Sequence, residues 1–561
     1  MMKNIYKSLW LLGAVTAGLG CFTSCSDDDS TMSRLFRPVL GEDAFTIGLD
    51  ANQIPYITIE WDDYSDADMY VLTLIPTDGS DSIVVETAEA TYTFNNLEYD
   101  MEYNVKIKAT SSKIPESKVY QTSVTTLDFP TMLENVSGSD IIDTQARIRW
   151  EGEVQYDTLK VYKVKNDELA AKIELTETDL QAGEVIVRGL SPKTEYRVEA
   201  YMGTVYKGKK LFATSAAEDF GGIEDEEGNV IGVVDLRNLT ADESYKLFDG
   251  EYIDSVAAAH GGNVTFVLQG GVTYKMPTLK LNSTGTVKFV TGLSLAGEAI
   301  FAVAGNFDIQ ANSQIGGIVL DKIFFTDIED KPKTGSNYGG TYLFNFDGAG
   351  SSIDSIVITN SIIKYKRGVM RLKNSTTVNR FIMDNCVLDS IGGYGIANAD
   401  NPGAVVRNIK MTNTTLSNCE KTFVGTKGLD EMESINIENC TFVYCIANSK
   451  PFVDYKGKVV PEFNIKNCLF GIAGKNTADA VADGITGWSG DAKPACDKCY
   501  FTSDLLWTMD AATGAPKAAL DGEALSANTD ELFVAPLESN FKLSNHEDVK
   551  ALKNIGDPRW H

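Results

Sequence analysis

Histidine is nearly absent from this chain of 561 residues, which holds only His260, His546 and His561. A nucleophile, histidine and carboxylate triad could therefore rest on very few positions, and a multi-histidine metal cage has too few ligands. Positive charge is scarce too: 50 Lys and Arg against 78 Asp and Glu leave a formal net charge of −28. That balance excludes general nucleic-acid binding, which draws its affinity from neutralised phosphates, so no nucleic acid is expected as a partner. Proline, at 15 residues, is too rare for a Pro-rich disordered chain. After residue 24 no apolar run reaches the length of about 18 residues that a membrane helix needs. Cysteine is missing between Cys25 and Cys386, and the seven later ones lack the dense, even spacing of a disulfide scaffold. What is present is a hydrophobic content of 43%, with 10% aromatic residues, enough to build cores. The length sets an expectation of about three or four domains.

Lys3 and Lys7, an apolar run from Leu9 to Gly20 and the small residues after it read as a secretory signal over 1–24. Cys25 follows Phe22-Thr23-Ser24 and precedes Ser26, Asp27, Asp28, Asp29 and Ser30, with Cys21 as the other candidate for modification. The arrangement resembles the lipobox and acidic surface-export signal of Bacteroidetes lipoproteins. That resemblance implies lipidation at Cys25, a linker over 25–36, and a surface-exposed chain anchored to the cell outer membrane without spanning it.

From residue 37 to 128 short β-rich runs alternate with turns. Tyr103, Val105, Ile107 and Ala109 alternate with Asn104, Lys106 and Lys108, the period of a half-buried antiparallel strand. Trp61 ends an earlier run, and Leu97 precedes Tyr103. The pattern returns over 129–218, with Trp150 closing Ala146 to Trp150 and Leu190-Ser191-Pro192-Lys193-Thr194-Glu195-Tyr196 opening a later strand. A tryptophan core and a leucine-to-tyrosine corner in about ninety residues suit an immunoglobulin-like sandwich. The second copy closely resembles a fibronectin type III domain; the first keeps the Leu and Tyr but lacks the Pro. Trp61 and Trp150 are expected in the cores, with sugar stacking as the other reading. Residues 219–262 read as an acidic linker followed by capping helix, with a capping box at Thr240-Ala241-Asp242-Glu243 and a helical run Ile253 to Ala259 stopped at Gly261.

Beyond Val264 one motif recurs. Ile356 to Ile363, Phe381 to Leu388, Ile409 to Leu416, Ile435 to Phe442 and Phe463 to Phe470 share an asparagine at the fifth position, namely Asn360, Asn385, Asn413, Asn439 and Asn467, spaced 25, 28, 26 and 28 residues apart. Such periods signal a solenoid. The apolar positions before each asparagine, the small residue after it and the large one two further on point inward, so the coils are strands stacked at about 4.8 Å with the asparagines in one structural ladder at a buried turn. Lys322 aligns with Asn360 after 38 residues, and the excess is expected as a loop within Asp327 to Thr341. The expected fold is all-β: two immunoglobulin-like (fibronectin type III) sandwiches followed by a right-handed parallel β-helix with an N-terminal capping helix. The β-helix is expected over 263–480, with a C-terminal end and cap over 481–561.

These coils resemble the pectate-lyase-like β-helix superfamily, and Glu531 to Pro536 followed by Asn540 to Leu543 is similar to its frequent C-terminal ending. Together with the terminal Gly556-Asp557-Pro558-Arg559-Trp560, the whole resembles a group of Bacteroidetes surface proteins associated with pectin-utilisation systems. The resemblance implies a context more than an activity, with a polysaccharide ligand and other glycan-uptake surface proteins as partners. Five cations fall in the ten residues Lys364 to Lys373, namely Lys364, Lys366, Arg367, Arg371 and Lys373. They, with Tyr338, are candidates for holding the carboxylates of an acidic polysaccharide, or else form a solvated face. The leading expectation is a non-catalytic surface lipoprotein that binds an extended pectic chain along the β-helix and needs no cofactor. A Ca²⁺-dependent pectate-type lyase with Arg371 or Arg367 as base is the alternative, and a structural or adhesion stalk without glycan ligand is the third. A hydrolase would instead need spatially paired carboxylates such as Asp384 and Asp389. Cys496-Asp497-Lys498-Cys499 lacks a second pair for zinc and reads as a local disulfide or free thiols, while the ladder cysteines read as core filling. Trp488, Trp507 and Trp560 are left for sugar stacking or for packing over the end of the helix.

Overall fold

A computed structural model describes residues 37–561 except 153–155, 222, 225–229, 329–340, 400, 422, 425–431, 447–449, 455–459, 475–483 and 490–492. The expected signal segment, the lipidation candidates Cys25 and Cys21, the linker to residue 36 and Tyr338 lie outside the described residues. The chain divides between Thr131 and Met132 into two compact units, with Lys207–Lys209 falling to the first.

The first unit is an antiparallel sandwich. Phe45–Leu49, Pro55–Glu60 and Thr91–Phe94 form one sheet; Ile83–Thr87, Met69–Pro76, Glu102–Thr110 and Tyr120–Thr125 form the other. Alternation along Glu102–Thr110 drives its apolar side chains inside, where Val105, Ile107 and Ala109 are fully buried. Trp61 lies in this core, edge-on to Tyr70 with ring centroids 5.2 Å apart. Leu97 is buried, and the Tyr103 hydroxyl accepts a hydrogen bond from Glu98 N at 3.2 Å.

The second unit begins with a sandwich of the same kind. Leu169–Glu174, Thr158–Lys163, Glu195–Met202 and Val205–Ala213 lie in one sheet, and Ala146–Arg149 pairs with Glu184–Val187 in the other. Trp150 is buried against Tyr156, and the Tyr196 hydroxyl accepts from Ser191 N at 2.8 Å, the same five-residue reach as in the first sandwich. Both tryptophans are therefore core residues, and sugar stacking is overturned for them. In both copies the corner satisfies a backbone N–H that the turn leaves without a ladder partner.

A parallel β-helix follows. Its first sheet has ten strands, from Val233–Asp235 to Ala495–Asp497; its second has ten, from Thr273–Met276 to Glu523–Ala524; its third has eight, from Leu279–Leu281 to Thr486–Ser489. One coil supplies one strand to each sheet, as Ser352–Thr359, Ile362–Lys366 and Gly368–Leu372 do. Two helices, Ala241–Tyr245 and Gly250–Ala259, close the N-terminal end. Thr240 and Glu243 form the expected capping box, and Ile253, Ala257 and the adjoining Phe248 are buried against Tyr274, Phe289 and Phe301 of the first coils.

From the third coil onward the chain bends between the first and second sheets at one residue in the left-handed region: Lys322, Asn360, Asn385, Asn413, Asn439 and Asn467, with φ between 49° and 54°. Asparagine tolerates this conformation better than other side chains with a β-carbon, which explains its recurrence. Asn385 donates its amide to Asn360 Oδ1 at 2.7 Å, Asn439 to Asn413 at 3.2 Å and Asn467 to Asn439 at 3.1 Å. The ladder breaks once. Asn413 turns its amide to Asp384 Oδ1, and Asn385 Oδ1 accepts instead from Arg559 Nη2 at 2.7 Å. The turn itself is not buried as expected: Asn360 and Asn385 are exposed, and the buried positions are those directly after it, Ser361, Cys386, Thr414, Cys440 and Cys468.

Within the second unit, the sandwich is joined to the β-helix by buried charge. Arg237, just after the first β-helix strand, meets the fully buried Asp143 of the sandwich at 3.0 Å, and Arg188 Nη1 donates to Gly270 O at 3.0 Å. Residues 525–560 pack back along the outer face of the second sheet, where Leu532, Phe533, Phe541, Leu552 and Ile555 cover Val443 and Leu469.

Two outcomes follow from this packing. Asn439→Ala should lower the stability of the second unit by about 1 to 2 kcal/mol, while Asn439→Gly, which keeps the positive φ at no steric cost, should cost less; urea unfolding compares them. Arg237→Ala strands the Asp143 carboxylate and should cost about 3 kcal/mol or more in the same assay.

Candidate functional site

The cationic run Lys364 to Lys373 wraps from the second sheet to the third, and the fold separates its members. Tyr365 is a second left-handed residue, with φ of 58°, stacked in register with Ser390, Asn418 and Tyr444, which share the positive φ. Each such residue inverts the in-and-out alternation. Lys366 consequently takes the inward position that Ile391 and Cys419 occupy in the next coils. Its side chain is fully buried, its ammonium donates to Thr326 O and lies 3.8 Å from the equally buried Asp327. The expectation that Lys366 contacts a glycan is therefore overturned. Lys364 lies on the outside, 3.7 Å from Asp389, and Lys373 pairs with Asp347 at 2.9 Å.

Arg367 and Arg371 remain. Neither forms an ion pair among the described residues. Arg371 sits in the third sheet between Asn345 and Asn398, and Arg367 forms the corner just before it. The guanidinium carbon of Arg367 lies 4.6 Å from the ring centre of Tyr394, and that of Arg371 5.0 Å; each is 5.7 Å from the ring of Tyr342. The two rings meet edge-on, with centroids 5.3 Å apart. Gly368 makes this approach possible, since a β-carbon there would stand 2.8 Å from Tyr394 Cβ. Among the described residues, three buried nitrogen and oxygen atoms of the cluster, Arg367 Nε, Arg371 Nε and Asn345 Oδ1, have no hydrogen-bond partner. Burial pushes the Tyr342 hydroxyl up to about 12, against the opposing pull of both guanidiniums, so it stays protonated and able to donate.

Two planar guanidiniums on aromatic faces, with a phenol donor beside them, match a planar anion such as a carboxylate. Tyr342, Tyr394 and Asn345 were missed by sequence reasoning, because only the coil register shows that residues 342, 367, 371 and 394 converge. Among the described residues the carboxylates that meet the run pair with its lysines: Asp327 with Lys366, Asp347 with Lys373 and Asp389 with Lys364. Among the described residues no three His, Cys, Asp or Glu side chains gather as a metal site. Asp384 and Asp389 do not face a shared substrate position: Asp384 accepts from Asn413 at the first corner, and Asp389 accepts from Asn418 and Ser417 at the second. Trp488 and Trp507 pack against the β-helix core, and Trp560 stands on the flank, edge-on to Phe541 and donating to Thr415 Oγ1 at 2.7 Å.

Two family models match parts of the chain, a domain of unknown function (DUF4957) over residues 272–419 and a domain of unknown function (DUF5123) over residues 435–560. The arginine and tyrosine cluster lies in the first stretch and the docked C-terminal segment in the second. No curated protein matches the chain. Among solved structures, a segment of two fibronectin type III domains from chicken tenascin is similar at 15% identity, covering 32% of this chain and 99% of that one with a TM-score of 0.16. The FN1–FN3 domains of chicken CNTN1 are similar at 19% identity, covering 32% of this chain and 67% of that one with a TM-score of 0.15. The sandwich fold rests on the strand order and tyrosine corners described above.

Lys366→Ala leaves Asp327 in the core beside an empty volume and should lower stability by about 3 kcal/mol, whereas Arg371→Ala should change it by less than about 1 kcal/mol. Parallel denaturant titrations separate the two.

Proposed function

We propose that this chain is a non-catalytic, surface-tethered receptor for an acidic glycan, a pectic polyuronate, whose carboxylates are held by Arg367 and Arg371 on the third sheet of the β-helix. The observation that carries the reading is the pair of guanidiniums that have no carboxylate partner among the described residues, in a chain of net charge −28. The acidic body repels a polyanion at long range, so a local cluster of this kind has to supply the attraction. Attachment through a lipid on Cys25 to the outer membrane, in the manner of Bacteroidetes lipoproteins, places the ligand at the cell surface. Partner glycan-uptake proteins would receive it there, and the sandwiches act as spacers. The lyase alternative keeps Arg371 or Arg367 as base but needs a Ca²⁺ site, for which the described residues offer no cluster.

Calorimetric titration with oligogalacturonides tests the reading. Binding should occur without Ca²⁺, weaken as salt rises and fall about tenfold or more in Arg371→Ala or Arg367→Ala, with Lys364→Ala and Lys373→Ala much milder. Equal affinity for a neutral oligosaccharide, or no binding by the folded protein, sinks the proposal. Unsaturated product appearing by absorbance with Ca²⁺, and lost in Arg371→Ala, replaces it with the lyase.

A further inference from the structure

The cysteine pair that the candidate site does not use has its own geometry. Cys496 lies in Ala495–Asp497, the last strand of the first sheet, in register with the inward Ile465. Lys498 makes the left-handed corner, with φ of 51°, and Cys499 follows in the buried column that Cys468 and Cys440 occupy in the preceding coils. Two inward side chains on either side of one corner are thus both thiols. Among the described residues no further strand of the first sheet covers Cys496, which is half-buried, while Cys386, Cys419, Cys440, Cys445, Cys468 and Cys499 are buried. All seven are reduced in this structure.

We propose that Cys496 and Cys499 are a reversible dithiol that closes to an intramolecular disulfide by exchange with a small-molecule disulfide. The Cys496 thiolate attacks one sulfur of glutathione disulfide, forming a mixed disulfide and releasing one glutathione thiolate. Cys499 then gives up its proton to that thiolate and attacks Cys496 Sγ, expelling the second glutathione. Two protein thiols are oxidised to one disulfide, and one glutathione disulfide is reduced to two thiols. The order of attack follows from exposure, and Cys499 supports it by holding the Cys496 thiol below its ordinary range. Cys496, with burial, pushes Cys499 up, as burial does for Cys386 and Cys468. The other thiols are therefore shielded from direct attack.

The test incubates the full chain in reduced or oxidised glutathione, quenches with N-ethylmaleimide after denaturation, and maps the peptides by mass. Oxidation should remove the maleimide label from Cys496 and Cys499 together, leave it on Cys386, Cys419, Cys440, Cys445 and Cys468, and be reversed by reduced glutathione. In Cys499→Ser the first step has no second thiol to complete it, so Cys496 should carry a stable glutathione adduct. The proposal is overturned if both cysteines stay labelled in oxidised buffer, if Cys499 is linked to Cys468 instead, or if folded Cys499→Ser gains no adduct. The wild-type map decides even where that variant fails to fold.

Discussion

One backbone constraint organises most of the β-helix: from Lys322 onward each coil bends between its first two strands at a single residue of positive φ. From Lys322 to Lys498 that residue recurs in seven successive coils. Because the corner has no freedom to slip, it fixes the register of the strands on both sides, and the register fixes which side chains stack. The columns of Ile, Met and Phe before the corner and of Ser, Thr and Cys after it follow from that alignment. The amide bonds along the ridge reinforce a geometry that the backbone already requires. They are dispensable at one place, where a carboxylate and an arginine stand in for them.

The same device, used again between Tyr365 and Tyr444, decides the chemistry of the surface. By inverting the alternation it draws Lys366 inside and hands its neighbours to nearby aspartates, so a dense cationic run becomes three matched pairs and two arginines. Those two differ from the lysines in kind as well as number. Guanidinium groups are flat and weakly hydrated, so they can rest on tyrosine rings and still present donors outward. A tetrahedral ammonium has no flat face to lay on a ring, and Lys364 and Lys366 meet carboxylates instead.

The fold was legible in the sequence wherever a pattern repeats. Asn360 to Asn467 announced the corner, Leu97 with Tyr103 and Leu190 with Tyr196 announced the two sandwiches, and Thr240 with Glu243 announced the cap. The site was legible only in part. Arg367 and Arg371 stood out by density of charge, yet the left-handed turn at Tyr365 carries no glycine or asparagine to mark it, so strict alternation placed Lys366 on the wrong side. Tyr342 and Tyr394 lie 52 residues apart and meet only because the coils stack. Trp560 offered sugar stacking or packing over the end of the helix, but its indole N–H finds Thr415 on the flank, a contact spanning 145 residues that no local pattern encodes.

That flank contact bears on the order in which the molecule can be completed. Asp557, buried and bonded to Thr415, and Arg559, inserted into the asparagine ridge, belong to the last turn of chain, yet they complete coils whose other bonds are local. Coils of this kind can zip one onto the next as they emerge, whereas the gap in the ridge at Asn385 stays open until residues some 170 positions later arrive. The tail thus acts as a clasp on the middle of a finished stack, and a protease that trims those few residues would unfasten the cylinder at its waist and leave both ends intact.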